Sequence, residues 1–148
     1  MPLGVRTGDY MPLTFLARRE SFSAAHRLHS PQLSDEENRQ VYGKCNWDGG
    51  HGHNYQLEVT LTGPVDPRTG MLINLVDLKR IIWEVALNHL DHRNLDRDVP
   101  FFLTLPSTTE NVARFIWERL ESAIPSPASL VEVKLYETEK NYVVLRDL

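Results

Sequence analysis

His51 and His53 flank a single glycine, Gly52. On an extended backbone residues two apart project to the same side, so both imidazoles can meet one ligand. Imidazole suits zinc, and a catalytic zinc takes three protein ligands while leaving a fourth position open. The third ligand must come from another stretch, and His26 and His29 both qualify. His26 is preferred because it ends a predicted strand that an antiparallel sheet can lay beside the second, whereas His29 falls beyond that end. Gly52 is read as the residue that lets the backbone approach a ligand or metal. Cys45 is the alternative fourth ligand, which would close the site and make it structural; spacing alone leaves that open. A single histidine is more often an ordinary surface or core residue, and it is the pair at the start of a strand that points to a metal.

Asp91 and His92 are adjacent, after a predicted helix. A carboxylate beside an imidazole orients it and raises its basicity, and the imidazole can then activate a thiol. A thiolate near a cation is also easier to form. If Cys45 reaches His92, the set is Cys-His-Asp. Equally, Asp91-His92 can simply end a helix, where a charged histidine is favourable, and spacing does not separate the two. A cysteine hydrolase would use the same set without three clustered histidines. Zinc together with a thiol base suits removal of a proton from carbon beside a hydroxyl.

These residues need elements to hold them. A strand is predicted over Phe15 to His26, with Phe22, Ala24 and His26 on one face. Ser30 to Lys44 is polar and reads as a long loop with one helical turn, of a length that is often functional. From His53 to Gly63, Tyr55, Leu57, Val59 and Leu61 alternate with polar residues, a half-buried strand. Asn74 caps a predicted helix in which Asp77 completes a capping box and Leu75, Leu78, Ile82 and Val85 form the apolar stripe. A second helix starts near Ser107 to Glu110, capped by Ser107 or Thr108, with Val112, Phe115, Ile116 and Leu120 as its stripe and Pro125 and Pro127 beyond its end. Val131 to Tyr136 and Tyr142 to Leu145 read as two closing strands. The order β-β-α-α-β-β is an α+β arrangement in which two helices cover one face of a four-stranded antiparallel sheet. The bare face then needs water or a partner; an apolar bare face and open strand edges would invite association.

The 148 residues, with a net charge of −4, suit one domain without staples. Residues 1–14 read as a flexible extension and 15–148 as the domain. The charge balance disfavours a general nucleic-acid binder. One cysteine rules out an internal disulfide and suits a reducing compartment. No apolar run is long enough to span a membrane, and the first residues lack the apolar core of a secretory signal, so the cytosol is the expected location.

Six blocks occur in order: FSAAHRLHS (Phe22 to Ser30), GKC (Gly43 to Cys45), GHGHNY (Gly50 to Tyr55), LDHRNLD (Leu90 to Asp96), STTENVA (Ser107 to Ala113) and YET (Tyr136 to Thr138). Together they resemble the 6-pyruvoyl tetrahydropterin synthase family from about Ser21 to Val144. The resemblance implies the tunnelling fold, in which three sheets close into a barrel and two trimers stack into a hexamer with active sites between subunits. It implies a lyase that turns 7,8-dihydroneopterin triphosphate into 6-pyruvoyl tetrahydropterin with loss of triphosphate, in tetrahydrobiopterin synthesis. Zinc is implied at His26, His51 and His53, with magnesium supporting activity. The proton-abstracting thiol falls on Cys45 and its activating pair on Asp91 and His92. Glu137 falls on the acid that anchors the pterin and takes part in the proton relay, and Thr108, Thr109 and Glu110 on the segment that helps hold the ring.

Arg27, Lys44 and Arg93 neighbour the motifs and are candidates for the triphosphate, each weighed against an ordinary surface charge. The nearest rival is 6-carboxytetrahydropterin synthase, whose pattern resembles this one with three residues between the cysteine and the HGH triplet; here five intervene. A rival of another class is a non-catalytic zinc- or pterin-binding module, against which the joint presence of Cys45, Asp91 and His92 counts. Arg18-Arg19-Glu20-Ser21 also reads as a basophilic kinase site, weighed against a plain strand serine.

Overall fold

The protein is described by a computed structural model over residues 12–147, so the greater part of the proposed extension lies outside the described residues. Four long strands form the antiparallel sheet expected: β1 (Phe15–His26), β2 (His51–Thr62), β4 (Ser129–Tyr136) and β5 (Tyr142–Arg146). A two-residue strand, β3 (Arg93–Asn94), adds a fifth member beside the end of β1 and runs parallel to it. The strand order is β3-β1-β2-β4-β5. β3 pairs with Ala24 and Ala25 alone, so among the described residues the outer edge of β1 has no neighbour over most of its length.

The helices α2 (Leu75–Val85) and α4 (Thr109–Glu121) lie on one face. Asn74 Oδ1 accepts the Val76 N–H at 2.9 Å and starts α2, without the reciprocal bond from Asp77 that a capping box requires. The buried stripe of α2 is Leu78, Ile81 and Ile82, while Leu75 is half exposed. Leu75 sits at the first helical position, where the helix has not yet reached the sheet. The stripe of α4 is buried as expected, with Thr108 as its cap. Against it lie Tyr55, Leu57, Val59, Leu61, Val133 and Leu135, all fully buried.

Two expectations fail. Ser30 to Lys44 holds a regular helix, α1 (Asp35–Tyr42), rather than one turn. Ser34 and Glu37 close a full capping box at its start, and Asn38 is buried as the hub of the turn, accepting the Ser30 N–H and donating to the Ser30 carbonyl. The bare sheet face is also polar rather than apolar. Alternation turns Arg19, Ser21, Asn54, Gln56, Glu58, Glu132 and Lys134 to it. Arg19 pairs with Glu58 at 3.1 Å and Arg146 with Glu132 at 2.6 Å. Lys134 lies over the Tyr136 and Tyr142 rings. Such a face is at ease in water and supplies no apolar drive to associate. Ser21, the serine of the kinase-like sequence, sits mid-strand on this face, opposite Gln56. No described helix is long and apolar enough to cross a membrane.

Candidate metal centre and its surroundings

The β1–β2 register sets His26 directly opposite His51 and Ala24 opposite His53. All three rings therefore project to the helix-covered face at one end of the sheet. One ligand-capable atom from each comes within 4.8 Å of the other two. His26 is fully buried. Its Nδ1 lies 2.8 Å from the Ser107 carbonyl oxygen, an acceptor only, so Nδ1 carries the hydrogen and Nε2 keeps a free lone pair. That Nε2 is buried with no hydrogen-bond partner, and so is His53 Nε2. Burial holds the pKa of both His26 and His53 below the usual histidine value, which keeps the rings neutral and able to ligate. Orphaned buried polar atoms are costly, and a divalent cation between these rings would satisfy them. The donor set fits zinc.

His29 lies outside the cluster, beyond the end of β1; its Nδ1 is 3.0 Å from Asn46 Nδ2, which also donates to the Leu28 carbonyl at 2.8 Å. Cys45 is also outside it. Gly50 is the glycine that the local backbone requires. Gly50 has φ +72°, and a Cβ there would come within 3.1 Å of the His26 carbonyl oxygen; a Cβ on Gly52 would meet nothing closer than 3.7 Å.

Glu137 follows β4 and its side chain borders the histidine cluster. Oε1 is 3.4 Å from His53 Nε2 without a hydrogen bond between them. Oε2 accepts the hydroxyl of Thr109, the first residue of α4. Thr108 is spent as the cap, its Oγ1 accepting the Asn111 N–H at 3.3 Å, and Glu110 is exposed in the first turn. Tyr55, stacked on Phe22 with centroids 4.8 Å apart, carries a buried hydroxyl without a partner. Burial first, then the Glu137 and Asp96 carboxylates, push its pKa far up, so it stays protonated.

The other sequence-predicted residues are not gathered here. Asp91 Oδ2 is 2.9 Å from His92 Nδ1, and Asp91 Oδ1 accepts the Ser23 N–H at 2.9 Å. Partial burial works against the Asp91 charge, but the Ser23 and His92 bonds outweigh it and hold its pKa below the usual value. Asp91-His92 is thus an oriented pair and not only a helix end. His92 has φ +61° and is 83% exposed. Cys45 lies in a short 3₁₀ turn after α1, tied by its carbonyl to the Leu28 N–H. Among the described residues no hydrogen bond joins Cys45 to His92. His53 borders two hollows, of about 550 Å³ with Gln56, Tyr136 and Glu137, and about 390 Å³ with Ser23, His92 and Arg93; Cys45 lines neither. Lys44 and Arg27 share a different hollow, and Arg27 is already paired with Asp48 at 2.9 Å.

The model of the 6-pyruvoyl tetrahydropterin synthase family matches residues 15–147. The chain belongs to this family. It is 55% identical over 135 residues to the 6-pyruvoyl tetrahydrobiopterin synthase of Drosophila melanogaster, covering 91% of this chain and 80% of that one. It is 53% identical over 131 residues to the Homo sapiens enzyme of the same name, covering 88% and 90%. The solved structure of Caenorhabditis elegans 6-pyruvoyl tetrahydropterin synthase superposes with a TM-score of 0.88 at 49% identity, over 93% of this chain and 98% of that one. The tunnelling fold expected from the motifs is therefore the fold of the family to which the chain belongs.

Sequence reasoning missed Ser107 as more than a cap candidate, and missed Asp96 and Asn46 altogether. Ser107 and Asn46 are buried. Asp96 and Ser107 both lie inside quoted motif blocks, which was the only signal available, because what they do depends on contacts between segments far apart in the chain.

Proposed function

We propose that this chain is a zinc-dependent 6-pyruvoyl tetrahydropterin synthase, converting 7,8-dihydroneopterin triphosphate to 6-pyruvoyl-5,6,7,8-tetrahydropterin with elimination of triphosphate. The observation that carries the reading is the cluster of His26, His51 and His53, with two orphaned Nε2 atoms and the Glu137 carboxylate beside them. A zinc ion held there would supply Lewis-acid polarisation of the substrate's side-chain hydroxyls. Cys45, as thiolate, takes the proton from the adjacent carbon. His92 receives the thiol proton, and Asp91 fixes the ring so that Nε2 is the atom that does so. Glu137 accepts the amino and ring N–H of the pterin, with the Thr109 hydroxyl holding its second oxygen in place. Thr108 and Glu110 shape the same wall at the start of α4. Electrons released from the side chain reduce the ring by tautomerisation, so no external nicotinamide is consumed.

The same reading makes the working unit a homohexamer, a dimer of trimers closed through the free strand edges, with active sites between subunits. The exposed His92, and its separation from Cys45 within one chain, support a site completed by a second copy. The lone cysteine suits the cytosol. Magnesium dependence is carried over from the family and is tested by adding it back.

The direct test is to incubate purified protein with dihydroneopterin triphosphate, with and without a chelator, and weigh the product. A 6-pyruvoyl product lost on chelation is expected. A 6-carboxy product would favour the rival enzyme, and binding without conversion would favour a pterin-binding module.

A further inference from the structure

Behind His26 lies a chain of bonds that no ligand contact requires. Ser107 offers His26 Nδ1 two acceptors, its carbonyl at 2.8 Å and its Oγ at 3.2 Å. The Ser107 hydroxyl hydrogen is spent elsewhere: it is donated to Asp96 Oδ1 at 2.6 Å. The oxygen therefore presents only lone pairs to the ring, which fixes the hydrogen on Nδ1. The second oxygen of the same carboxylate, Asp96 Oδ2, accepts the N–H of Arg27 at 2.6 Å. Arg27 is the residue immediately after His26. One carboxylate thus holds both the end of the strand that carries the ligand and the side chain that holds the ligand's ring. It does so from α3 (Leu95–Asp98), a four-residue helix that follows β3. His26 and Ser107 are fully buried, so these bonds are not exchanged with water.

We propose that Asp96 is a positioning residue for the metal site, acting through Ser107 on the tautomer and aim of His26. The inference rests on the zinc reading of the histidine cluster. Both Asp96 bonds are charge-assisted and short. Its negative charge polarises the Ser107 hydroxyl, which makes Oγ a better acceptor and the far nitrogen of His26 a better donor to a metal. Outer partners of metal-bound histidines act in this way, and their loss costs on the order of 10–100-fold in metal affinity. The alternative role, a staple between α3 and β1, needs only the bond to Arg27 and makes no use of Ser107 Oγ.

The test is zinc affinity by competition with a chromophoric chelator, together with the visible spectrum of the cobalt(II)-loaded protein. Ser107→Ala keeps the carbonyl and the Asp96–Arg27 bond but cuts the path to the ring. Asp96→Asn leaves one of its two donors facing an amide. Both should weaken zinc about 10–100-fold and shift the cobalt bands, and the double variant should be no worse than the weaker single. Asp98→Asn is the control. Asp98 Oδ2 accepts the Asn94 N–H at 2.8 Å from the same short helix and bonds neither Ser107 nor the His26 ring among the described residues, so zinc affinity should stay at the starting value. Wild-type zinc affinity and cobalt spectrum in Ser107→Ala would overturn the proposal, as would equal losses in Asp96→Asn and Asp98→Asn. If Asp96→Asn fails to fold, Ser107→Ala still decides. His51→Ala separates the two layers: if it binds zinc like the unaltered protein, the zinc reading itself is wrong.

Discussion

The three histidines and the Cys45, Asp91 and His92 set are built in opposite ways. The histidines stand on two long strands whose hydrogen-bonded register fixes each ring against the next, and one of them is fully buried. The proton-transfer candidates stand on short turns at the periphery, with His92 83% exposed and no bond from it to Cys45 among the described residues. A metal site tolerates little play in its ligands, and paired strands supply rigidity within one chain. On the proposed function, groups on peripheral turns could be joined by part of the set from another copy. On that proposal, the metal centre would be complete in a single chain and the acid–base machinery shared between copies.

Breaking the metal side should have the largest effect. His26→Ala, His51→Ala or His53→Ala leaves two ligands, and zinc should be lost on dialysis, as read by elemental analysis. A full zinc complement in any of them would show that the cluster is not the site. Cys45→Ala and His92→Ala should instead keep zinc and fold while turnover falls on the order of 10²–10⁴-fold, the range lost with a general base. Zinc loss in Cys45→Ala would make the thiol a ligand and erase the contrast.

A smaller effect belongs to Glu137, which borders the histidines through His53. Glu137→Gln keeps the shape but turns a donor towards the donors of the pterin. Binding should weaken by about 1–3 kcal/mol, the penalty for an unsatisfied buried group, with zinc content unchanged; calorimetry with a pterin product analogue reads this. The smallest effect concerns Asp91. Its folded pKa lies below the ordinary value of 3.8, so its contribution to stability is complete above that value and disappears as pH falls through the lower, folded pKa. Asp91→Asn should lower the melting temperature slightly at neutral pH and hardly at all in strong acid. An equal shift at both would mean that the carboxylate charge contributes nothing.

Most of the fold could be read from the sequence. The alternation from Tyr55 to Leu61 and the Val112 to Leu120 stripe reported burial directly, since each face meets the core at a fixed period. The helix α1 did not show in the same way because its residues are polar nearly all round; its signal was the Ser34–Glu37 capping box, which was there to be found. β3 is two residues long, too short for any periodicity. Of the site, the His51–His53 pair was legible because two residues on one strand share a face. His26 over His29 could be preferred only from the strand end, and the register that sets His26 opposite His51 bears the preference out. Asp96 and Ser107 were not legible as partners, since eleven residues and a change of element separate them. The polar character of the bare sheet face was legible in the residues that alternate with the apolar ones, Asn54, Gln56, Glu58, Glu132 and Lys134; the pairing of Arg19 with Glu58 needed the register.

The division between one chain and two is tested most directly by co-expressing Cys45→Ala and His92→Ala chains under different tags and purifying the mixed oligomers. Each variant alone should be inactive. If Cys45 and His92 act from different copies, random mixing restores an intact pair at about a quarter of the sites, and activity with dihydroneopterin triphosphate should return to about that fraction of the unaltered protein. Mixed oligomers as inactive as either parent would place both residues in one chain and contradict the account.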